Sequence, residues 1–284
     1  MKIALAQITS NTSSLEENID KHLEFIAKAK QKKSDVVVFP ELSLHGHHAG
    51  NLIVNSTDNY ETILNRKAIN KIRGYSQGIT VMAGGLEITN SGLVYNSFYA
   101  IRDEKIIFKH RKINIPTYGN LDEGKYYGRG TKLKAFHPIK AKHTKSVILT
   151  CADSWNPPLV YIAALQGANI IFIPKSSAIN ATHSKMDNSI GWNINTLHTA
   201  MTYGLYVIKV NRVGSENGLD FYGNSVAVDP YGNIVAEAGE DEELVTADID
   251  FNKVLHAKIT LPTIRDANLL LINRFIKKQA KKLT

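Results

Sequence analysis

The chain has 284 residues, 43% of them hydrophobic, and a formal net charge of +8. That length supports one large α/β domain, and the single cysteine excludes an intramolecular disulfide and points to a reducing, cytoplasmic setting. No apolar run reaches the roughly 18 residues of a membrane span, the start has no signal-peptide architecture, and no nucleic-acid motif accompanies the charge. Arg265, Arg274, Lys277, Lys278, Lys281 and Lys282 stand against Asp266 alone at the C-terminus. The positive excess is therefore mostly a tail, "LLLINRFIKKQAKKLT", whose apolar residues recur at helical spacing.

In chain order, "KIALAQI" alternates and reads as a strand. Ser14 and Glu17 form a capping box, followed by Leu15, Ile19, Leu23 and Ile26 at helical spacing. "DVVVFP" is a short continuous apolar run, which suits a strand buried on both faces. "ITVMAGGLEI", "NSFYAI", "KIIFKH" and "SVILT" predict further strands, and "PLVYIAALQGA" a helix stopped at Gly167. "NIIFIP" reads as another buried strand, "LHTAMTYG" as a helix and "LYVIKVNRVG" as one strand. "NSVAVDPYGNIVAEA" predicts a hairpin, turned within Asp229–Gly232. Helices alternate with strands joined by both long and short connections, so mixed sheets are expected. With no linker, repeat or low-complexity stretch, residues 1–284 are expected to form a single domain.

Buried strands in α/β proteins deliver functional side chains where the chain leaves the core. Three such ends carry Glu41, Lys112 and Cys151. Together a carboxylate, an ammonium and a thiol are chemically coherent. The carboxylate takes the thiol's proton, and the ammonium favours the thiolate and a nearby oxyanion. Singly, each has a plainer use: a buried small hydrophobe, a helix cap, a solvated charged edge.

The surrounding segments decide between these readings. "VVFPELSLHG", "HRKINIPTYGNLDEGKYY" and "VILTCADSW" resemble the three signature segments of the nitrilase, or carbon–nitrogen hydrolase, superfamily, in its order Glu, Lys, Cys. "QGANIIFIP", "VNRVG" and "FYGNSVAVDPYGNIVAEA" extend the resemblance from Lys2 to about Asp250. "KINIPTYGNLDE" is similar to the glutamine-hydrolysing domain of certain NAD synthetases.

The resemblance implies a four-layer αββα sandwich that dimerises through helices into αββααββα, with residues 251–284 reaching a neighbouring subunit. It implies a thiol-dependent amidohydrolase acting on a small linear carboxamide, without metal or organic cofactor. Cys151 would be the nucleophile, Glu41 the general base, and Lys112 with the Ala152 N–H the oxyanion donors. Glu123 would orient Lys112 or the leaving amine and hold Glu41 at a raised pKa. Tyr118, Trp155, Ser176 and Ser177 are implied pocket residues. An N-carbamoyl amine amidohydrolase uses the same three residues and stays open as the alternative. A glutaminase subunit feeding a separate synthetase and a non-catalytic scaffold are further alternatives.

Two departures stand out. His45-Gly46-His47-His48 replaces the Thr-Gly-Tyr of glutaminase-like members. No second ligand cluster completes a zinc site, so His47 reads as a pocket residue replacing a tyrosine. This puts glutamine in doubt as substrate, and a histidine at that place is also able to meet an acidic group on the substrate. Thr199 and Thr202 stand where members often carry an Arg and a Glu.

Overall fold

The computed structural model describes residues 1–12, 14–50, 66–182 and 188–282. Two sheets stack face to face. The first has six strands: β1 (Lys2–Gln7), β2 (Val36–Val38), β3 (Thr80–Ile88), β4 (Val94–Arg102), β5 (Lys105–Arg111) and β13 (Glu243–Asp248), in the order β13-β1-β2-β3-β4-β5. β1, β2 and β3 run parallel, while β4, β5 and β13 pair antiparallel. The second sheet joins β6 (Ser146–Ile148), β7 (Ile170–Lys175), β8 (Tyr206–Asn211), β11 (Val226–Val228) and β12 (Ile234–Glu237), in the order β12-β11-β8-β7-β6. It too is mixed, as expected from the short and long connections.

Alternation along each strand sends one set of side chains between the sheets and the other outward. Ile3, Leu5, Val36, Val38 and Met82 meet Ile148, Phe172, Ile208 and Val210 in the central layer. The outward set, with Ala4, Val37, Val81 and Ala83, is covered by α1 (Leu15–Gln31) and α2 (Arg66–Tyr75). On the other side Val147, Ile171, Ile173 and Val207 are covered by α3 (Pro157–Leu165) and α4 (Asn188–Tyr203). This is the αββα sandwich that the resemblance implied. Val36, Val37 and Val38 are fully buried, and each contributes roughly 1.5–3 kcal/mol through that burial.

Local signals behave largely as read. Ser14 Oγ accepts from the Glu17 N–H at 3.4 Å, the forward half of the capping box. The reciprocal half is replaced, since the Ser14 N–H donates to Asn11 O at 3.3 Å. α3 ends beside Gly167, whose φ is +80°. The Asp229–Gly232 turn closes with Gly232 N–H donating to Asp229 O at 2.9 Å.

Residues 205–214 depart from the expected single strand. β8 ends at Asn211 and β9 (Val213–Glu216) begins two residues later, pairing with β10 (Leu219–Tyr222) as a separate ribbon. Arg212 makes the break. Its side chain turns inward to donate to Ser10 O and Glu216 Oε2 and is 2% exposed. A charge that finds internal partners outweighs continuation of the strand. α5 (Phe251–Thr260) caps on Asp250, and α6 (Leu269–Ala280), the helix read in the basic tail, buries none of its side chains.

Candidate active site

Glu41 lies three residues beyond β2, in a turn where Leu42 takes φ +51°. The Leu42 carbonyl accepts from the His45 and Gly46 N–H groups at 3.0 and 2.8 Å, which holds that left-handed backbone. The turn presses on β3 at Gly84. A Cβ there would lie 2.9 Å from Pro40 O and 3.0 Å from the Glu41 carbonyl carbon.

The Glu41 carboxylate is 1% exposed and hydrogen-bonded through both oxygens. Oε1 accepts from Lys112 Nζ at 2.6 Å and Asn96 Nδ2 at 2.8 Å, and Oε2 from the Ser176 N–H at 3.0 Å. Lys112, just beyond β5, is completely buried. Its ammonium also donates to Glu123 Oε1 and Oε2 at 2.7 and 2.9 Å. Glu123 reaches it from a single 3-10 turn, Glu123–Lys125. One cation is therefore shared by two buried carboxylates.

Burial alone would raise both carboxyl pKa values, and the environment splits them. At Glu41, burial is outweighed by the Lys112 charge and hydrogen bond, and its pKa lies below the ordinary value. At Glu123, burial outweighs the pull of Lys112, and the Glu41 charge adds to it, raising the pKa to about 7. This reverses the expectation for Glu41: the near-neutral carboxyl is Glu123. Lys112 is held well above its ordinary value, since the Glu123 and Glu41 charges outweigh burial.

Cys151 follows β6 in a tight 3-10 turn, Cys151–Asp153, with φ +46°. Its carbonyl accepts from the Ser154 N–H at 3.0 Å and Ser154 Oγ at 2.9 Å. A non-glycine residue held there costs about 1–3 kcal/mol, and Asp153 secures the turn. Fully buried, it accepts from Thr150 N–H at 3.2 Å, Ile113 N–H at 3.0 Å and Asn114 N–H at 2.7 Å, and its Oδ2 lies 2.9 Å from His110 Nε2. One carboxylate thus ties the cysteine turn to the strand end that carries Lys112. Burial pushes the thiol's pKa up, and Glu41 and Glu123 reinforce this against Lys112 and Lys175. That direction favours the thiol, against the thiolate that the residue types alone led one to expect beside an ammonium.

Cys151 opens on a cavity of about 300 Å³. Every pocket residue expected from the sequence is on its wall: His47, Tyr118, Ala152, Trp155, Ser176 and Ser177, with Glu123 beside them. Some are committed. Ser176 Oγ donates to Glu41 O at 2.7 Å, and Ser177 Oγ accepts from Asn188 Nδ2 and Trp192 Nε1 at 2.8 and 2.9 Å. Trp155 packs edge-on against Trp192, 5.1 Å between centroids, beside a helix position that must be small: a Cβ on Gly191 would lie 2.6 Å from the indole. Tyr118 is 55% exposed.

Of the other histidines, His45 Nδ1 accepts from the Leu86 N–H at 3.3 Å, and the His48 ring meets that of His47 edge-on. Among the described residues no cluster of His, Cys, Asp and Glu is arranged to hold a metal ion, and no helix is long and apolar enough to cross a membrane. Thr199 lies buried in α4. Asn96, Asp153, Lys175 and Trp192 belong to the site and were not singled out from sequence. Asn96 had a signal, a lone amide inside the apolar alternation of β4.

The chain matches the description "Carbon-nitrogen hydrolase" over residues 2–258. It is 28% identical over 272 residues to the glutamine-dependent NAD(+) synthetase of Thermotoga maritima, covering 93% of this chain and 45% of that protein. The chain thus spans about half the length of that relative. It is 27% identical over 251 residues to the 2-oxoglutaramate amidase of Bacillus subtilis, covering 88% of this chain and 91% of that protein. In fold it resembles a carbon–nitrogen hydrolase from Helicobacter pylori G27, with a TM-score of 0.84 at 24% identity over 97% of this chain and 98% of the other.

Proposed function

This chain belongs to the carbon–nitrogen hydrolase family, hydrolases acting on C–N bonds other than peptide bonds, and we propose that it is a thiol-dependent amidohydrolase. Its substrate is a small linear carboxamide, cleaved to a carboxylate and ammonia. The Cys151 sulfur attacks the amide carbon as Glu41 takes the thiol proton. Lys112 and the Ala152 N–H hold the oxyanion of the tetrahedral intermediate. Collapse breaks the C–N bond, Glu41 returns its proton to the departing nitrogen, and ammonia leaves a thioester. Glu41 then draws a proton from water, the hydroxide adds to the thioester carbon, and the carboxylate departs as the thiol regains its proton.

The observation that carries this reading is the bond of Glu41 Oε1 to Lys112 at 2.6 Å, in a pair that is itself hydrogen-bonded to Glu123 and Ser176 on the wall of the cavity onto which Cys151 opens. A base with a lowered pKa and a nucleophile with a raised one suit transfer during attack, when an electrophile is present, rather than a standing ion pair. Glutamine and 2-oxoglutaramate, named for two relatives, each present a terminal primary amide.

The test is ammonia release from linear carboxamides compared with N-carbamoyl amines. Carboxamides are expected to turn over, with at least about a hundredfold loss in Glu41→Gln. Preferential turnover of carbamoyl amines, with carbon dioxide, would install the alternative instead.

A homodimer is part of the same proposal. Ile190, Ile194 and Met201 of α4 are 57%, 63% and 51% exposed, and α6 in the tail buries none of its residues. Sedimentation is expected to give twice the chain mass, and a monomer at micromolar concentration would remove this part.

A further inference from the structure

Glu41 is gripped from both sheets. From the second, Ser176, just beyond β7, donates its N–H to Oε2 at 3.0 Å and its Oγ to the Glu41 carbonyl at 2.7 Å. From the first, Asn96 of β4 donates its side-chain amide to Oε1 at 2.8 Å. Asn96 is 1% exposed and shares a face of β4 with Phe98 and Ala100, which pack in the central layer. A lone amide on an apolar face is costly unless it is paired, and here its donor is taken up by the carboxylate.

The same residue also holds Lys112. Its backbone carbonyl accepts from the Lys112 N–H at 2.9 Å, so Asn96 braces the base through its side chain and the lysine through its main chain. Lys112 Nζ meets the same oxygen, Oε1, at 2.6 Å. A carboxylate oxygen offers two lone-pair directions, and Lys112 and Asn96 take those of Oε1. Oε2 instead accepts from Ser176, a residue of the cavity wall onto which Cys151 opens. The two oxygens of Glu41 are therefore unequal: an ammonium and an amide anchor one, and the other lies against a wall residue.

We propose that Asn96 is a positioning residue for the base: by occupying the second lone pair of Oε1 it fixes the carboxylate so that Oε2 takes the Cys151 proton. The S–H bond breaks as the O–H bond forms at Oε2, and the sulfur's electron pair makes the new bond to carbon. The proposal rests on the amidohydrolase reading and deepens it, assigning one oxygen of Glu41 to proton transfer.

Asn96→Leu keeps the bulk, removes the amide and leaves the main-chain bond to Lys112 in place. Asn96 is not among the described residues of the cavity wall. For a linear carboxamide, KM should therefore change by less than about twofold while kcat falls at least about tenfold. Asn96→Ser leaves room for a water to donate in the amide's place and should fall between the two; it also stands in should the leucine variant not fold. A cycle with Glu41→Gln is read as the rate at which iodoacetamide alkylates Cys151, which needs the thiol proton removed but no amide hydrolysis. Asn96→Leu is expected to slow alkylation at least about fivefold on its own and by less than about twofold when added to Glu41→Gln. Equal slowing in both backgrounds, or an unchanged kcat in folded Asn96→Leu, would overturn the proposal and leave the amidohydrolase reading standing on its ammonia release. Coupled alkylation without ammonia release from linear carboxamides would remove that reading and uphold Asn96 as the brace of Glu41.

Discussion

Replacing Lys112 with Met keeps much of the side chain's bulk and removes its ammonium. Three short hydrogen bonds vanish, at 2.6 Å to Glu41 and at 2.7 and 2.9 Å to Glu123. Both carboxyls remain buried, with Asn96 Nδ2 and the Ser176 N–H as donors to Glu41. Breaking a buried ion pair by removing one partner costs about 3–5 kcal/mol. The sign of its pH dependence follows from burial, which raises both carboxyl groups from the ordinary 4.5 once their counter-charge is gone. A carboxyl whose folded pKa is raised costs no stability below its unfolded value. It costs progressively more as pH climbs to the folded one. Urea denaturation at pH 8 is therefore expected to show the full loss of about 3–5 kcal/mol, and at pH 5 less than half of it. Adding Glu123→Gln removes one stranded charge and should recover at least about 1 kcal/mol at pH 8. Turnover in Lys112→Met should fall by about 10²–10³-fold with the loss of an oxyanion donor. A loss of stability equal at both pH values, or a double variant no better than the single, would refute the shared-cation account.

Glu123, with its pKa raised to about 7, is expected to set the acid side of the activity profile. Its ionisation increases the proton affinity of Glu41, so kcat/KM should rise through about pH 7 and level off. In Glu123→Gln that limb should disappear, and an unchanged limb would assign it to another group. Asp153→Asn leaves one acceptor oxygen in place of two for the groups around that carboxylate. Stability should drop by about 2–4 kcal/mol, and kcat at least about tenfold as the Cys151 turn and the Lys112 strand end lose their shared anchor. Wild-type melting and kcat would contradict that role. Gly84→Ala pushes a methyl group toward Pro40 O and the Glu41 carbonyl carbon. It should cost about 1–3 kcal/mol and lower kcat. Gly239→Ala, with open space around its Cβ, should change neither, and equal effects of the two would remove the close-approach explanation.

The four layers were legible because β2 is an uninterrupted apolar run and β7 is one up to Pro174, and because α1 carries its own cap and stripe. Glu41 and Cys151 stood out at the ends of such runs, whereas Lys112 follows β5, a mostly exposed edge strand that carries Lys109 and Arg111, and was read with the pocket residues from the signature segments. What escaped depends on neighbours remote in sequence. Asn96 matters because β4 pairs with β3 next to the Glu41 turn, and its partner lies 55 positions away. Asp153 reads as a turn residue until the Lys112 strand end folds against it. The opposite pKa shifts of Glu41 and Glu123 depend on how one ammonium divides itself between them. β10 and β13 were missed because their short, acid-containing stretches gain strand character only on pairing with β9 and β1.

The proposed mechanism requires the acyl group to pass through the sulfur of Cys151. Rapid quenching of the protein during turnover of a linear carboxamide, followed by intact-mass and peptide mass spectrometry, addresses it directly. The expected result is a transient adduct equal to the amide less ammonia, located on Cys151, with both adduct and ammonia release lost in Cys151→Ala. Undiminished ammonia release by Cys151→Ala would contradict the account.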